Sequence, residues 1–314
     1  MGIQLLLLVL ALVTIALSAD RFVMGAAITA ELMRISPLLV GILVIGFGTG
    51  LPELMTATIA SIHGNASLGI ASVIGSTVVN STLVLGTLGV LSAPKISSRV
   101  LKREGMSQLL AVVSFGLVVV LAPQRLFYGL LLVLLALLIG LTLVGARSGH
   151  ESTQLEEEAR KVEEGYSWGL AKSLIVMLVG LVIVLGSAEL LVYSASNLAS
   201  SLGVPKAAIG ATLVALGTSL PELVTAIAAA RRGHSDLVIG NIFGANLFNS
   251  TAVAGVAGII SPGIKIPMLS SEAVIMAMVS LVAILFLSSS RRLSKAEGWT
   301  LIVAYIFWIA YAAR

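Results

Sequence analysis

Ten apolar stretches near bilayer length run along this chain, at residues 3–20, 37–61, 66–92, 106–122, 125–146, 169–200, 207–230, 236–260, 270–289 and 298–312. A hydrocarbon core about 30 Å thick takes about 20 apolar residues wound as a helix, so each stretch reads as a transmembrane helix. Polar and charged residues gather in the gaps. The first stretch ends in Leu17-Ser18-Ala19, which imitates a secretory leader. No basic residue precedes its apolar core, however, and a matching segment recurs from Gly169 to Ala188, so it is read as the first span.

Composition removes whole classes of function. With 58% hydrophobic and 11% charged positions among 314 residues, the chain falls far below the charged fraction of about 25% found in soluble domains, which makes it an integral membrane protein. The absence of cysteine excludes disulfides, thiolate metal sites and cysteine nucleophiles. A net charge of +4 needs no nucleic-acid partner, because the basic residues fall in loops. With the N-terminus outside, the cytoplasmic loops carry Arg21 and Arg34; Lys95, Arg99, Lys102 and Arg103; Arg147, Arg160, Lys161 and Lys172; Arg231 and Arg232; and Arg291, Arg292 and Lys295. The bias predicts a multi-pass cell-membrane protein with both termini extracellular.

Sliding the sequence against itself by 169 positions superimposes two copies. Thr49 then meets Thr218, Pro52 meets Pro221, Glu53 meets Glu222, Gly75 meets Gly244, Asn80 meets Asn249, and Asp20 meets Glu189. Each copy holds five predicted spans, and an odd number makes the second copy enter the membrane from the opposite side. The expected architecture is therefore an all-α membrane protein of ten helices in two inverted five-helix repeats, residues 1–146 and 169–314. An acidic cytoplasmic linker, 147–168, joins them. Inverted repeats place equivalent residues near the bilayer midplane, which is a transporter arrangement.

The candidate chemistry sits where the copies agree best. GFGTGLPEL (Gly46–Leu54) and ALGTSLPEL (Ala215–Leu223) each put a proline and a glutamate inside an apolar span. Proline removes a backbone donor and clashes with the preceding turn, so the second and seventh helices are expected to break there, at Pro52 and Pro221. Carbonyls freed around Gly46–Gly50 and Ala215–Ser219 would then line a cavity. A charge at bilayer depth costs roughly 2.5–3.5 kcal/mol or more, so Glu53 and Glu222 call for cationic partners. Thr49 and Thr218 precede them by four residues. In the next spans, SVIGSTVVN (Ser72–Asn80) and NIFGANLFN (Asn241–Asn249) align Ser76 with Asn80 and Ala245 with Asn249 at the same spacing, while Gly75 and Gly244 permit close contact with the glutamate-bearing helices.

This donor set is oxygen throughout, with neither cysteine nor histidine nearby, which favours hard ions such as Na⁺ and Ca²⁺ over zinc or copper. Two ionised glutamates are neutralised by one Ca²⁺ or two Na⁺. An empty site would carry two uncompensated charges through an occluded state at several kcal/mol per ion, so obligatory exchange is expected. The ions are transported substrates, and no cofactor is expected. A glutamate pair serves protons as well as Na⁺, so proton-coupled Ca²⁺ exchange stays the alternative. Neither a channel nor an intramembrane hydrolase fits as well. The bilayer is the expected partner, and a monomer suffices.

The paired GTGLPEL and GTSLPEL motifs, each followed about 20 residues later by a glycine-small-asparagine pattern, resemble the two alpha repeats of the cation/calcium exchanger superfamily, and most closely its sodium/calcium exchangers. The resemblance implies an antiporter with cation sites between the repeats. It assigns ligand positions to Thr49, Glu53, Ser76 and Asn80, and to Thr218, Ser219, Glu222 and Asn249, with backbone oxygens from Gly46 and Ala215. It also implies that the long first and sixth helices slide past the rest. Three positions depart from internal symmetry or the family pattern: Gly50 stands opposite Ser219, Ala245 opposite Ser76, and Asn249 where some members carry aspartate. Outside this set, Asp20 and Glu189 read as headgroup-level or salt-bridged residues, His63 as a surface loop residue, and Glu272 as a helix-dipole or interface charge.

Overall fold

A computed structural model of the chain describes residues 2–64, 66–94, 96–121, 123–147, 168–203, 215–262 and 267–312. Among them the regular elements are helices. These are α1 (Gly2–Leu32), α2 (Pro37–Thr49, wound as a π-helix over Gly41–Gly46) and α3 (Leu51–Ile62). Next comes α4 (Ala66–Val79, a π-turn Asn80–Val84, then Leu85–Leu91), followed by α5 (Leu101–Leu121) and α6 (Arg125–Arg147). The second half holds α7 (Leu170–Ser201), α8 (Ala215–Thr218) and α9 (Leu220–Arg231). It continues with α10 (Ser235–Phe248, a π-turn Asn249–Val253, then Ala254–Ile260), α11 (Pro267–Ser290) and α12 (Lys295–Ala312).

Seven of these helices are long and apolar enough to cross a membrane, and α2 with α3, bent by 41° at their junction, make an eighth span. Burial runs opposite to that of a soluble protein. Large apolar side chains face outward, with Leu6 at 69%, Val133 at 64% and Val182 at 69% exposure, whereas α10 is buried without interruption from Leu237 to Leu247. Lipid solvates the outer face, and the interior concentrates the polar groups. The predicted seventh span falls partly on residues 207–214, and the acidic linker falls on 148–167; both lie outside the described residues.

The sequence repeat is also a repeat of structure. Leu51–Ile62 recurs as Leu220–Arg231, Ala66–Val79 as Ser235–Phe248, and the π-turn Asn80–Val84 as Asn249–Val253, all at the 169-residue offset. Equivalent helices cross antiparallel. In α1 and α7, Phe22 lies against Gly180 while Thr29 Oγ1 donates to Ser173 Oγ at 3.1 Å. In α4 and α10, Ser76 pairs with Asn249 while Ser81 pairs with Asn246. The first contact is close because both helices offer glycine: a Cβ on Gly25 would sit 2.7 Å from Met177 N.

Four expectations are corrected. The first helix does not end at Ala19-Asp20 but runs to Leu32, because Arg232 neutralises Asp20 and residues 22–30 are all buried. The helix breaks fall at Gly50 and Ser219, two residues before the prolines, which occupy the first turns of α3 and α9, where a missing N–H costs no helical bond. Glu272 is not a helix-dipole charge; it is the sixth residue of α11, beyond the first turn, and only 6% exposed. Gly75 faces Trp308 on α12 rather than a glutamate-bearing helix. His63 is exposed in a turn, and Asp20 is salt-bridged, both as expected.

Candidate functional site

Gly50 (φ −78°, ψ 0°) and Ser219 (φ −93°, ψ 6°) each leave the helical region for a single residue, which bends the chain without unravelling it. Proline two residues later clashes with the turn behind it and so fixes where the new helix begins. The next residue is the glutamate. Glu53 and Glu222 are thus the third residues of α3 and α9, where the positive end of the helix dipole favours a carboxylate. Both are completely buried.

Around Glu53 the hydrogen bonds converge on one atom. Ser76 Oγ donates to Glu53 Oε1 at 2.9 Å, accepts from Asn249 Nδ2 at 3.1 Å, and lies 3.0 Å from Ser219 Oγ. Its single proton goes to the carboxylate, so Ser219 donates and Ser76 is saturated. Four elements, α3, α4, α10 and the α8–α9 junction, therefore meet at one hydroxyl.

Around Glu222 the link is an amide. Asn241 Nδ2 donates to the Glu222 carbonyl and to Thr225 Oγ1, each at 3.1 Å, and Asn241 Oδ1 lies 3.5 Å from Thr49 Oγ1. Thr49 donates chiefly to Ile45 O at 2.9 Å, which turns its lone pairs away from its own helix and toward the interior. Thr49 thus meets the opposite repeat rather than its neighbour Glu53. Gly46 O accepts from Gly50 N at 3.2 Å, with Thr49 Oγ1 at 3.4 Å.

Several buried atoms at the site find no hydrogen-bond partner: Glu53 Oε2, both carboxylate oxygens of Glu222, Asn249 Oδ1, and both amide atoms of Asn80. Buried polar groups are almost always paired, so this cluster of unpartnered atoms, mostly oxygens, makes the region the candidate site. Among the described residues the salt bridges, Arg232 with Asp20 and Arg103 with Glu104, involve neither glutamate. Asn80 and Asn249 each open a π-turn, a local rewinding that redirects side chains and recurs at functional sites.

The structure brings Glu53, Ser76, Ser219 and Asn249 into one hydrogen-bonded group, with Thr49, Glu222 and Asn80 also buried. Thr218 ends α8 half-buried, and Ala215 begins that helix. Asn241 was missed by the sequence reading although it opens the NIFGANLFN stretch. The signal was available: Asn241, Ala245 and Asn249 recur every four residues and share a helix face.

Known proteins resemble this chain along most of its length. The family described as sodium/calcium exchanger protein matches residues 3–145 and 172–314. The inner membrane protein YrbG of Escherichia coli is 33% identical over 311 residues, covering 97% of this chain and 95% of that one. The sodium/calcium exchanger MaX1 of Methanosarcina acetivorans is 26% identical, covering 98% and 97%. A structure of the sodium-calcium exchanger NCX_Mj soaked with 10 mM Na⁺ superimposes with a TM-score of 0.84 at 27% identity, covering 98% of both chains. With two motif-bearing halves, a buried oxygen cluster and this fold, the chain belongs to the sodium/calcium exchanger family, and it is a transporter rather than an enzyme.

Proposed function

We propose that this protein is a secondary antiporter that exchanges Ca²⁺ for Na⁺ by alternating access at a midplane site centred on Glu53 and Glu222. The observation that carries the reading is the pair of fully buried carboxylates, set on equivalent broken helices and leaving three of their four oxygens unpaired. Two such charges without a cation cost several kcal/mol each, and a bound Ca²⁺ or two Na⁺ remove that cost. Thr49, Thr218, Ser219, Asn80 and Asn249, with the Gly46 and Ala215 carbonyls, supply neutral oxygens around them. Ser76 joins as a ligand when Ser219 or Asn249 releases it, since its lone pairs are occupied in the present arrangement.

The ten-helix architecture, residues 1–146 and 169–314 as inverted repeats joined by a cytoplasmic linker, belongs to the same reading. Its support is the antiparallel crossing of α1 with α7 and of α4 with α10. The long helices α1 and α7 form the group that slides past the rest, and both termini face outward by the loop charges. NCX_Mj has been soaked with Na⁺ and with Ca²⁺ or Sr²⁺, which supports the same ions here.

The deciding experiment is Ca²⁺ uptake into proteoliposomes under an imposed Na⁺ gradient, at fixed pH and clamped membrane potential. Uptake should follow the Na⁺ gradient. Uptake that ignores Na⁺ but follows a pH gradient would replace the proposal with proton-coupled exchange.

A further inference from the structure

One ion pair in this protein is closed while its counterpart in the other repeat is open. Asp20 on α1 takes two donors from Arg232, which caps α9: Nε to Oδ1 at 2.7 Å and Nη2 to Oδ2 at 2.5 Å. Shifted by the repeat offset, Asp20 becomes Glu189 on α7 and Arg232 becomes His63, which caps α3. Both copies therefore carry an acid on the long helix and a basic side chain at the end of the glutamate-bearing helix. The second pair is not made. Glu189 is exposed, and His63, also exposed, directs Nδ1 to the Ile59 carbonyl at 2.8 Å.

Packing around the two pairs differs in the same sense. α1 lies along α9, whereas α7 makes no comparable contact with α3. On α3 a stripe of Leu51 (40%), Met55 (63%) and Ile59 (51%) is exposed; at the equivalent positions on α9, Leu220 and Val224 are half-buried and Ala228 is 7% exposed. One end of the bundle is closed by its long helix. The equivalent stripe on α3 is left uncovered by α7.

We propose that Asp20–Arg232 and Glu189–His63 are reciprocal latches, each closing one side of the protein when its long helix lies against α9 or α3. The inference rests on the alternating-access reading and goes beyond it, because nothing in the cation site requires these four residues. In an inverted repeat, a change of access exchanges the environments of the two copies, so equivalent residues exchange contacts. Asp20 parts from Arg232 as Glu189 reaches His63. The two latches differ in strength, since a guanidinium grips a carboxylate with two parallel N–H groups and an imidazole presents a single one to it. The conformation closed at α9 is the one held by the stronger latch.

The absence of cysteine gives a clean background for the test. Full-length protein carrying Asp20→Cys with Arg232→Cys, Glu189→Cys with His63→Cys, or all four changes is reconstituted and treated with a short bifunctional methanethiosulfonate, which spans the gap left by the longer native side chains. Each pair should cross-link, and the four-cysteine protein should hold one link or the other in any single molecule, read by mass after proteolysis. Both links in one molecule, or no link between 63 and 189 in protein that is monodisperse and forms the link between 20 and 232, would overturn the proposal. A second readout uses a nitroxide spin label on Met55→Cys, which is immobilised when α7 lies against α3 and mobile when it does not. Glu189→Gln should raise the ratio of mobile to immobile label and Asp20→Asn should lower it, each by about 2- to 5-fold, the range an exposed ion pair supplies. Shifts in the same direction, or none, would leave the four residues as headgroup-level charges only. Cross-linking and labelling are read without ion flux, so loss of Na⁺-driven uptake in the unaltered protein counts against the exchange reading alone.

Discussion

The hydroxyls of Ser76 and Ser219 sit 3.0 Å apart, yet neither residue has a hydroxyl-bearing equivalent in the other repeat: Ser76 matches Ala245, and Ser219 matches Gly50. The cross-repeat bridge is therefore built from the two positions where symmetry fails. Its effect is a relay to one carboxylate, with Ser219 donating to Ser76 and Ser76 to Glu53. Glu53 receives a hydroxyl hydrogen bond, while both carboxylate oxygens of Glu222 find no hydrogen-bond partner.

Removing either charge should stop transport. Glu53→Gln and Glu222→Gln keep the side-chain shape but leave a single negative charge, which no longer balances one Ca²⁺ or two Na⁺. Na⁺-driven Ca²⁺ uptake should fall to background in both variants, with the purified protein still monodisperse on size-exclusion chromatography. Flux near the wild-type level in either one would remove that glutamate from the site.

Ser76→Ala should weaken cation binding more than its size implies, because one atom is lost to Glu53, Ser219 and Asn249 together. A hydrogen bond to a charged group is worth about 1.5–3 kcal/mol, so a fall in Ca²⁺ affinity of about 10-fold or more is expected. The complementary change, Ala245→Ser, places a hydroxyl near Glu222 by internal symmetry and should alter the Na⁺ dependence of uptake without loss of folding. Equilibrium binding and uptake titrations read the two variants.

Gly46→Ala tests the packing beneath the site. A Cβ there would come within 2.7 Å of Ala245 N and 2.8 Å of Asn241 O, both backbone atoms of α10 that cannot swing aside. Overpacking of this kind costs about 1–3 kcal/mol, so the melting temperature in detergent should drop. Displacement of Asn241 should also loosen the Glu222 side of the site and reduce uptake in the protein that remains folded.

At the other end of the bundle, Ser294 and Glu297 form a capping box on α12: Ser294 N donates to Glu297 Oε2 at 2.8 Å, and Glu297 N donates to Ser294 Oγ at 3.3 Å. Burial pushes the Glu297 carboxyl up, but hydrogen bonds from Ser294 and Ser289 outweigh it and hold the group below its ordinary value of 4.5. A depressed carboxyl stabilises the folded state above its unfolded value, and the contribution is lost as pH falls through the lower folded value. The melting temperature of the wild type should therefore exceed that of Glu297→Gln at neutral pH, and the gap should close in acid below about pH 4. A gap that stays constant with pH would exclude a charged cap.

Much of the fold was legible because membrane physics writes itself into sequence. Helix positions follow from the need to satisfy every backbone group inside lipid, and the repeat follows from residue identities at a fixed offset. Misreadings arose where a charge was judged without its partner. Asp20 looked like a span end until Arg232, 212 positions away, was found to neutralise it.

The sequence by itself determined an all-helical membrane protein, two copies of one unit, and the pair of glutamates that call for cations, since each depends on residue type and spacing along one chain. Tertiary structure decided how those residues join. It placed the breaks at Gly50 and Ser219, made Ser76 the shared acceptor, brought in Asn241, and crossed Thr49 over to the opposite repeat. It also decided that Asp20 is paired with Arg232 while Glu189 is exposed. Such contacts depend on which helix faces which, and in lipid that choice is made by the close approach of small residues such as Gly46 and Gly25 rather than by hydrophobicity, which points outward equally on every side.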